Sequence, residues 1–233
     1  MPSYAVTGTS RGLGLEFVKQ LSQDPSNTVF AIVRNPDSAA NLKQLAAQRS
    51  SNNIHIVKAD ITDPQSLVAA AAEISKATDG ALDVLINNAV SVNAAAAALS
   101  PSQIPLDVAG TREFFKASID SALYGAVWTT NAFLPLIEKG TLKKIIHIST
   151  GMADAKTTKL TGIPGLVDYS AAKGAMNVLV GKYAAELEPK GIKVVAISPG
   201  WVDTWEGPSE FLSFLILPTI SPSHPVEGHL SST

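Results

Sequence analysis

Six short runs of apolar residues recur along the chain, each followed closely by a glycine, a proline or a polar residue. They occupy residues 4–6, 29–33, 54–59, 82–86, 145–148 and 194–197. The apolar positions within a run are mostly consecutive, whereas a strand with one solvated face shows strict alternation. The pattern therefore predicts six strands of one parallel sheet that is covered on both faces.

The segments between the runs are long enough for crossover helices. We predict helices at 12–23, 41–49 and 64–76, and a long helix near 111–138. The alternation of strand and helix predicts one α/β domain, a doubly wound parallel sheet of the Rossmann type, over residues 1–204. Residues 205–233 are expected to form a short, atypical tail, so that the C-terminal substrate lobe is shortened.

One low-complexity segment interrupts this alternation. Residues 93–99 include five consecutive alanines, Ala94 to Ala98, and follow the fourth predicted strand. We expect a variable surface loop there, because an excursion between a strand and a long helix is readily accommodated at the surface.

Composition narrows the function classes. The 233 residues carry a net charge of −2, without the basic excess that is typical of nucleic-acid binders, and they include no cysteine for disulfides or thiolate chemistry. The apolar stretch 211–220 is about half a membrane span, the N-terminus shows no leader, and the four histidines lack metal-ligand spacing. We expect a cytoplasmic protein without metal, membrane or nucleic-acid partners.

A glycine-rich turn follows the first predicted strand. Gly8, Gly12 and Gly14 are spaced for a longer turn than the usual dinucleotide fingerprint, in the same place between strand and helix. Small residues let the backbone approach a pyrophosphate, and the helix N-terminus offers oriented N–H groups. The turn, with Ser10, Arg11 and Leu13, is predicted to bind a dinucleotide; a tight turn without a ligand is the alternative.

The end of the second strand bears on the choice of dinucleotide. An acid there would favour NAD, but this strand ends at Arg34. Arg11 and Arg34 together suit a 2′-phosphate, which predicts NADP(H) over NAD(H), unless Arg34 is an ordinary solvated charge. Asp60, after the third strand, could accept from the adenine amino group or cap the next helix, for which Asp63 is better placed.

Tyr169 and Lys173 form a candidate catalytic pair. Their i, i+4 spacing places both on one helical face, where an ammonium is expected to lower the phenol pKa and enable acid–base catalysis. An ordinary surface pair is the alternative reading of such a common spacing. Ser149 and Thr150 end the fifth strand, at the edge where open α/β sheets bind ligands.

Together, in order, these motifs resemble the short-chain dehydrogenase/reductase family. The resemblance runs from Tyr4 to about Thr204. It implies that Tyr169 is the catalytic acid/base and that Lys173 lowers the pKa of Tyr169 and binds the nicotinamide ribose. It also implies that the hydroxyl of Thr150, with Ser149 before it, orients the substrate carbonyl. It further implies a set of sheet-centre and nicotinamide contacts: Asn87, Pro199, Gly200, Val202 and Thr204.

The resemblance implies an NADPH-dependent reductase of a ketone or aldehyde. The chain looks most like fungal members near the sniffer-type carbonyl reductases, some of which act in secondary metabolism. The resemblance also implies a homodimer that associates through the long helices. A degenerate dinucleotide-binding protein with little redox activity, used as a scaffold or non-redox cyclase, remains the alternative.

Two positions depart from the family pattern. Val90 stands where the family has glycine after Asn87-Asn88-Ala89, so the backbone is expected to be shifted there. The asparagine that anchors a water of the family's proton relay is replaced by Ala122, and Asn131 is too far along the helix to substitute for it.

Overall fold

The structure is a computed structural model that describes residues 1–200 and Val202. Thr204, the expected boundary at residue 204 and the expected shortened C-terminal lobe lie outside these residues.

Six parallel strands form one sheet in the order β3-β2-β1-β4-β5-β6. The predicted strands are all confirmed, with ends that differ by up to two residues. Their bounds are β1 Ser3–Thr7, β2 Thr28–Val33, β3 Ile54–Lys58, β4 Val84–Asn87, β5 Lys144–Ile148 and β6 Lys193–Ile197.

Seven α-helices connect these strands within the described part of the chain. They are α1 Gly12–Leu21, α2 Ala40–Gln48, α3 Pro64–Ala77, α4 Val108–Ser118, α5 Gly125–Ile137, α6 Ala155–Thr161 and α7 Val167–Leu187. Asp63 caps α3 as predicted, because its side chain accepts from the backbone N–H of Gln65. The predicted long helix differs from expectation, since a π-helix, Ile119–Tyr124, separates α4 from α5.

Helices cover both faces of the sheet, and this explains why the strands lack alternation. On one face, Leu67 of α3, Phe133 of α5 and Leu187 of α7 pack in one fully buried cluster with strand residues such as Ile145. On the other face, α1 and α2 pack Val18 and Leu42 against β2. The sheet is therefore doubly wound, as the sequence predicted.

The order of the strands reverses direction between β1 and β4. Connections from β1 run to one side of the sheet and those from β4 to the other, which opens a crevice at the carboxyl ends of these strands. The described residues include no helix that is both long and apolar enough to span a membrane.

Asp83 ties the opposite edge of the sheet together. One carboxylate oxygen accepts from the backbone N–H and hydroxyl of Ser3, at 2.9 and 3.1 Å, and the other accepts from the N–H groups of Thr141 and Leu142, at 2.7 and 3.0 Å. Burial alone would raise the pKa of this carboxyl, but these hydrogen bonds outweigh it, and the pKa is lowered.

Replacing Asp83 by alanine is expected to lower the free energy of unfolding by about 3 kcal/mol at pH 7, because it leaves buried donors without their charged acceptor. Since the folded pKa lies below the unfolded one, the carboxylate stabilises the fold fully above the unfolded value of about 3.9 and loses this contribution as the pH falls through the folded value. Urea unfolding at several pH values measures both effects. Glu73→Ala, at an exposed position on α3, is the control; an equal loss there would contradict the prediction.

Candidate active site

The turn from β1 to α1 is packed as closely as glycine permits. Gly8 and Gly12 adopt left-handed backbone angles, with φ of +72° and +57°. A Cβ added at Gly14 would collide with the carbonyl oxygen of Gly8, and one at Gly8 would lie 2.8 Å from the Cα of Ala89. The predicted glycine positions thus form a tight backbone cradle at the crevice, with Ser10, Arg11 and Leu13 in the same turn.

The N-terminus of α1 suits an anion. Its N-cap residue, Arg11, has an extended backbone and makes no side-chain capping hydrogen bond. The first N–H groups of a helix need partners from outside it, and the helix dipole favours negative charge there. The cradle and this uncapped end therefore fit the pyrophosphate of a dinucleotide.

The end of β4 holds the cradle in place. The hydroxyl of Thr7 accepts from the backbone N–H groups of Asn88 and Ala89, both at 3.0 Å. The side-chain amide of Asn88 donates to the carbonyls of Thr7 and Gly8, at 2.9 and 3.2 Å. Thr7 and Asn88 were not among the predicted site residues, although Asn88 lies within the Asn87-Asn88-Ala89 motif and Thr7 directly precedes Gly8. Val90, next along the chain, has no left-handed φ, so its backbone does not require glycine.

Two cations flank the neighbouring strand ends. Arg11 follows β1 and Arg34 follows β2, and both are exposed. The two strands are paired in parallel, with Thr7 opposite Ile32, so both arginines lie at the same edge of the sheet. Asp60 accepts from the N–H and hydroxyl of Thr62, at 2.9 and 2.7 Å. Its carboxylate stabilises a local turn, and its contact with adenine stays a prediction.

Lys173 is buried at the end of β5. The residue as a whole is 3% exposed. Its ammonium donates to the carbonyl of Ile148 at 2.5 Å. Burial lowers the pKa of Lys173 to about 8. A lysine so placed carries its charge at neutral pH but lies near the point of losing it.

Tyr169 lies one helical turn before Lys173, as the spacing predicted. Burial raises the pKa of this phenol, and a hydrogen bond with the side chain of Thr150 only partly counters that effect. Lys173 is not among the causes of this shift, and its role as the pKa-lowering partner of Tyr169 stays a prediction. The ammonium is directed to the carbonyl of Ile148, and removal of water from the phenol dominates.

The two hydroxyls after β5 have different partners. Ser149 is buried and donates to the side-chain oxygen of Asn177, on α7, at 2.7 Å. Thr150 accepts from the backbone N–H of Met152 at 3.2 Å, and its hydroxyl is close enough to Tyr169 to lower the pKa of that phenol. Of the two predicted residues, Thr150 faces the phenol, whereas Ser149 fastens the strand to the helix.

Asn87 lies at the centre of the sheet, where its side-chain amide is 3.2 Å from the hydroxyl of Thr130 and 3.4 Å from Nε2 of His147. Burial and the charge of Lys173 lower the pKa of His147 to about 4, so its ring is neutral at pH 7. His147 is therefore a buried residue of the sheet core. Its Nδ1 atom has no hydrogen-bond partner among the described residues.

A small cavity lies where the π-helix passes the end of β4. Its volume is about 10 Å³, enough for roughly one water molecule. Ala122 lines it, and its polar lining comes from Thr7, Asn87, Ser121, Thr129 and Lys173. Asn131 lies away from it and accepts from the hydroxyl of Tyr183 at 2.8 Å, as expected for a residue that cannot replace the missing asparagine.

The residues after β6 lie at the same carboxyl edge of the sheet. Pro199 and Gly200 follow the strand, Gly200 has a φ of +76°, and both residues are exposed, as is Val202. The described residues contain no group of three histidine, cysteine or acidic side chains that could hold a metal ion.

The arrangement brings an acid, a hydroxyl and a cation to one strand end. The hydroxyl of Thr150 is close enough to the phenol of Tyr169 to lower its pKa, and Lys173 is anchored at the residue just before Ser149. Two such hydroxyls can hold a carbonyl oxygen between them, and the phenol can give that oxygen a proton.

Comparisons with known proteins identify the family of the chain. Residues 3–208 match the short chain dehydrogenase family. The chain is 45% identical over 204 residues to the short-chain dehydrogenase/reductase atnB of Arthrinium sp, which covers 88% of this chain and 76% of the relative. The crystal structure of NADPH-bound carbonyl reductase from chicken fatty liver has a TM-score of 0.76 and 30% identity, over 88% of this chain and 81% of that one. A Caenorhabditis elegans protein assigned as the carbonyl reductase Sniffer has a TM-score of 0.73 and 25% identity, over 87% and 86% of the two chains.

Proposed function

The chain belongs to the short-chain dehydrogenase family of oxidoreductases, and we propose that it is an NADPH-dependent carbonyl reductase. The observation that carries the proposal is the grouping of Tyr169 and Thr150 beside a buried Lys173, at the sheet edge that also holds the glycine cradle. The NADPH-bound carbonyl reductase among the similar structures supports the same assignment.

The cofactor-binding residues are assigned from their positions at the edge of the sheet. The cradle of Gly8, Gly12 and Gly14 would hold the pyrophosphate, Lys173 the nicotinamide ribose, and Asn87, Pro199, Gly200 and Val202, with Thr204 beyond the described residues, would line the nicotinamide side. When bound, NADPH supplies a hydride to the carbonyl carbon.

The chain itself supplies the proton. Thr150 donates a hydrogen bond that orients the substrate oxygen, and Tyr169 transfers its proton to that oxygen as negative charge develops there. The C=O double bond becomes a C–O single bond, a new C–H bond and a new O–H bond form, and the phenolate then regains a proton from solvent. A raised pKa keeps Tyr169 protonated at neutral pH, which is the form that reduction requires.

Arg34 is expected to set the preference for NADPH. Arg34→Gln removes a cation at the end of β2 and is expected to raise the KM for NADPH by roughly 10-fold or more while changing that for NADH little. Steady-state kinetics with both cofactors measures the change. Arg112→Gln, at an exposed position on α4, is the matched control, and an unchanged cofactor ratio in Arg34→Gln would refute the assignment.

The activity is tested by following NADPH oxidation against a panel of aromatic and aliphatic ketones and aldehydes. Carbonyl-dependent oxidation by the wild-type protein supports the proposal. NADPH binding without turnover on any member of the panel would instead support the second candidate, a dinucleotide-binding scaffold or non-redox cyclase. That candidate is favoured by one observation, the presence of Ala122 at the cavity beside Lys173.

The biological setting is proposed on the resemblance alone. We place the reductase in the cytoplasm, in fungal secondary metabolism, acting on a small carbonyl compound. A homodimer through the long helices is the oligomer we propose. Sedimentation of the purified protein tests this, and a monomer at all concentrations would exclude it.

A further inference from the structure

The alanine segment, defined as Ala94–Ala98, is not the surface loop that its composition suggests. Ala96 and Ala97 are 2% and 0% exposed. Ala97 packs in an apolar cluster with Met152 and Leu166, and the ring of Tyr169 lies against the same cluster. The expectation of a surface excursion is therefore wrong for the centre of the segment, which belongs to the cluster against which the candidate catalytic tyrosine packs.

A backbone hydrogen bond joins the alanine segment to the start of α7. The N–H of Leu166, the N-cap residue of that helix, donates to the carbonyl of Ala97 at 2.7 Å. Gly165 allows this approach, because a Cβ added there would lie 2.6 Å from the same carbonyl oxygen. The contact thus depends on a residue without a side chain at position 165.

Leu166 is held in a conformation that leucine disfavours. Its φ of 55° and ψ of 36° place it in the left-handed region, where a bulky residue is strained. Such strain persists only where the surroundings fix the residue, and it often accompanies functional sites. Here the fixing contacts are the hydrogen bond to Ala97 and the burial of the leucine side chain in the cluster.

We propose that the alanine segment positions Tyr169 through its contact with Gly165 and Leu166. Leu166 directly precedes α7 and lies three residues before Tyr169. Its backbone angles therefore set the direction of the first turn of α7. Ala97, Gly165 and Leu166 are then positioning residues that act through Tyr169. The inference rests on the proposed function, since it assigns these residues to the same proton transfer.

The test is Gly165→Ala, which forces the alanine segment and the start of α7 apart. A misplacement of about 1 Å is expected to lower kcat by roughly 10- to 100-fold, measured with a ketone that the wild-type protein reduces. The dissociation constant for NADPH is expected to stay unchanged. The solvent deuterium isotope effect on kcat is expected to rise, because proton transfer becomes slower than other steps. Gly181→Ala is the matched control, since a Cβ on this exposed residue of α7 meets nothing within 4 Å.

The outcomes separate this proposal from the proposed function. A wild-type protein that reduces no carbonyl compound overturns the proposed function and the positioning role with it. An active wild-type protein with an unchanged kcat in Gly165→Ala overturns the positioning role alone, as does a loss of NADPH affinity in step with kcat. If Gly165→Ala does not fold, Leu166→Ala decides instead: a fall in kcat of about fivefold or more at normal NADPH affinity supports the proposal, and an unchanged kcat overturns it.

Discussion

Replacing Tyr169 by phenylalanine is expected to lower kcat for ketone reduction by about 10³-fold, since general acid catalysis contributes roughly 10²- to 10⁴-fold. The change removes the hydroxyl beside Thr150 but keeps the ring that packs against the cluster of Ala97, Met152 and Leu166. The fold and the glycine cradle should therefore be preserved, and NADPH should still bind. Single-turnover kinetics together with a fluorescence titration of NADPH separates the two effects.

The same helix offers a matched control for this substitution. Tyr183 also belongs to α7, but its hydroxyl donates to Asn131 of α5 and not to a residue of the candidate site. Tyr183→Phe is expected to retain full activity. Near-normal reduction by Tyr169→Phe, or an equal loss in both variants, would count against Tyr169 as the proton donor.

Lys173→Met is expected to lower kcat/KM for NADPH by about 10²-fold and to remove a step from its pH dependence. Because burial lowers the pKa of Lys173 to about 8, the wild-type ammonium loses its charge as the pH rises through that value. We expect wild-type kcat/KM for NADPH, which reports the free enzyme, to fall above about pH 8, and the variant to lack this fall.

Lys182→Met is the control for the loss of a positive charge, because Lys182 is exposed on the same helix. It should keep both the activity and the pH profile of the wild-type protein. A wild-type profile that is flat between pH 7 and 10 would be inconsistent with a role for the Lys173 charge.

Local patterns were sufficient to predict the sheet and the cofactor cradle. A strand buried on both faces needs continuous apolar residues, so β2, with Val29 to Val33, is evident from the sequence alone. Gly14 is likewise forced by its own surroundings, since any side chain there would meet the carbonyl of Gly8. Features that depend on a residue's immediate neighbours are thus visible before the fold is known.

Features that depend on distant partners were not predictable in this way. The separate roles of Ser149 and Thr150 follow from Asn177, 28 residues beyond Ser149. The raised pKa of Tyr169 reflects how completely the fold removes it from water. Burial of the alanine segment depends on Gly165 and Leu166, about 70 residues later in the chain. A run of alanines has no hydrophobic pattern that would predict such a contact.

The π-helix between α4 and α5 makes this stretch sensitive to length rather than to composition. A π-helical turn holds one residue more than an α-helical turn, and each residue of an α-helix advances its direction by about 100°. If Ile119–Tyr124 relaxed to α-helix at its present length, α5 would rotate about its axis by about that amount. Phe133, now fully buried, would turn away from the sheet. Deleting one residue from the segment at the same time would restore the present direction of α5, because the π-helical turn holds that extra residue. Homologous chains that have an α-helix in this place and keep the site should therefore be one residue shorter there.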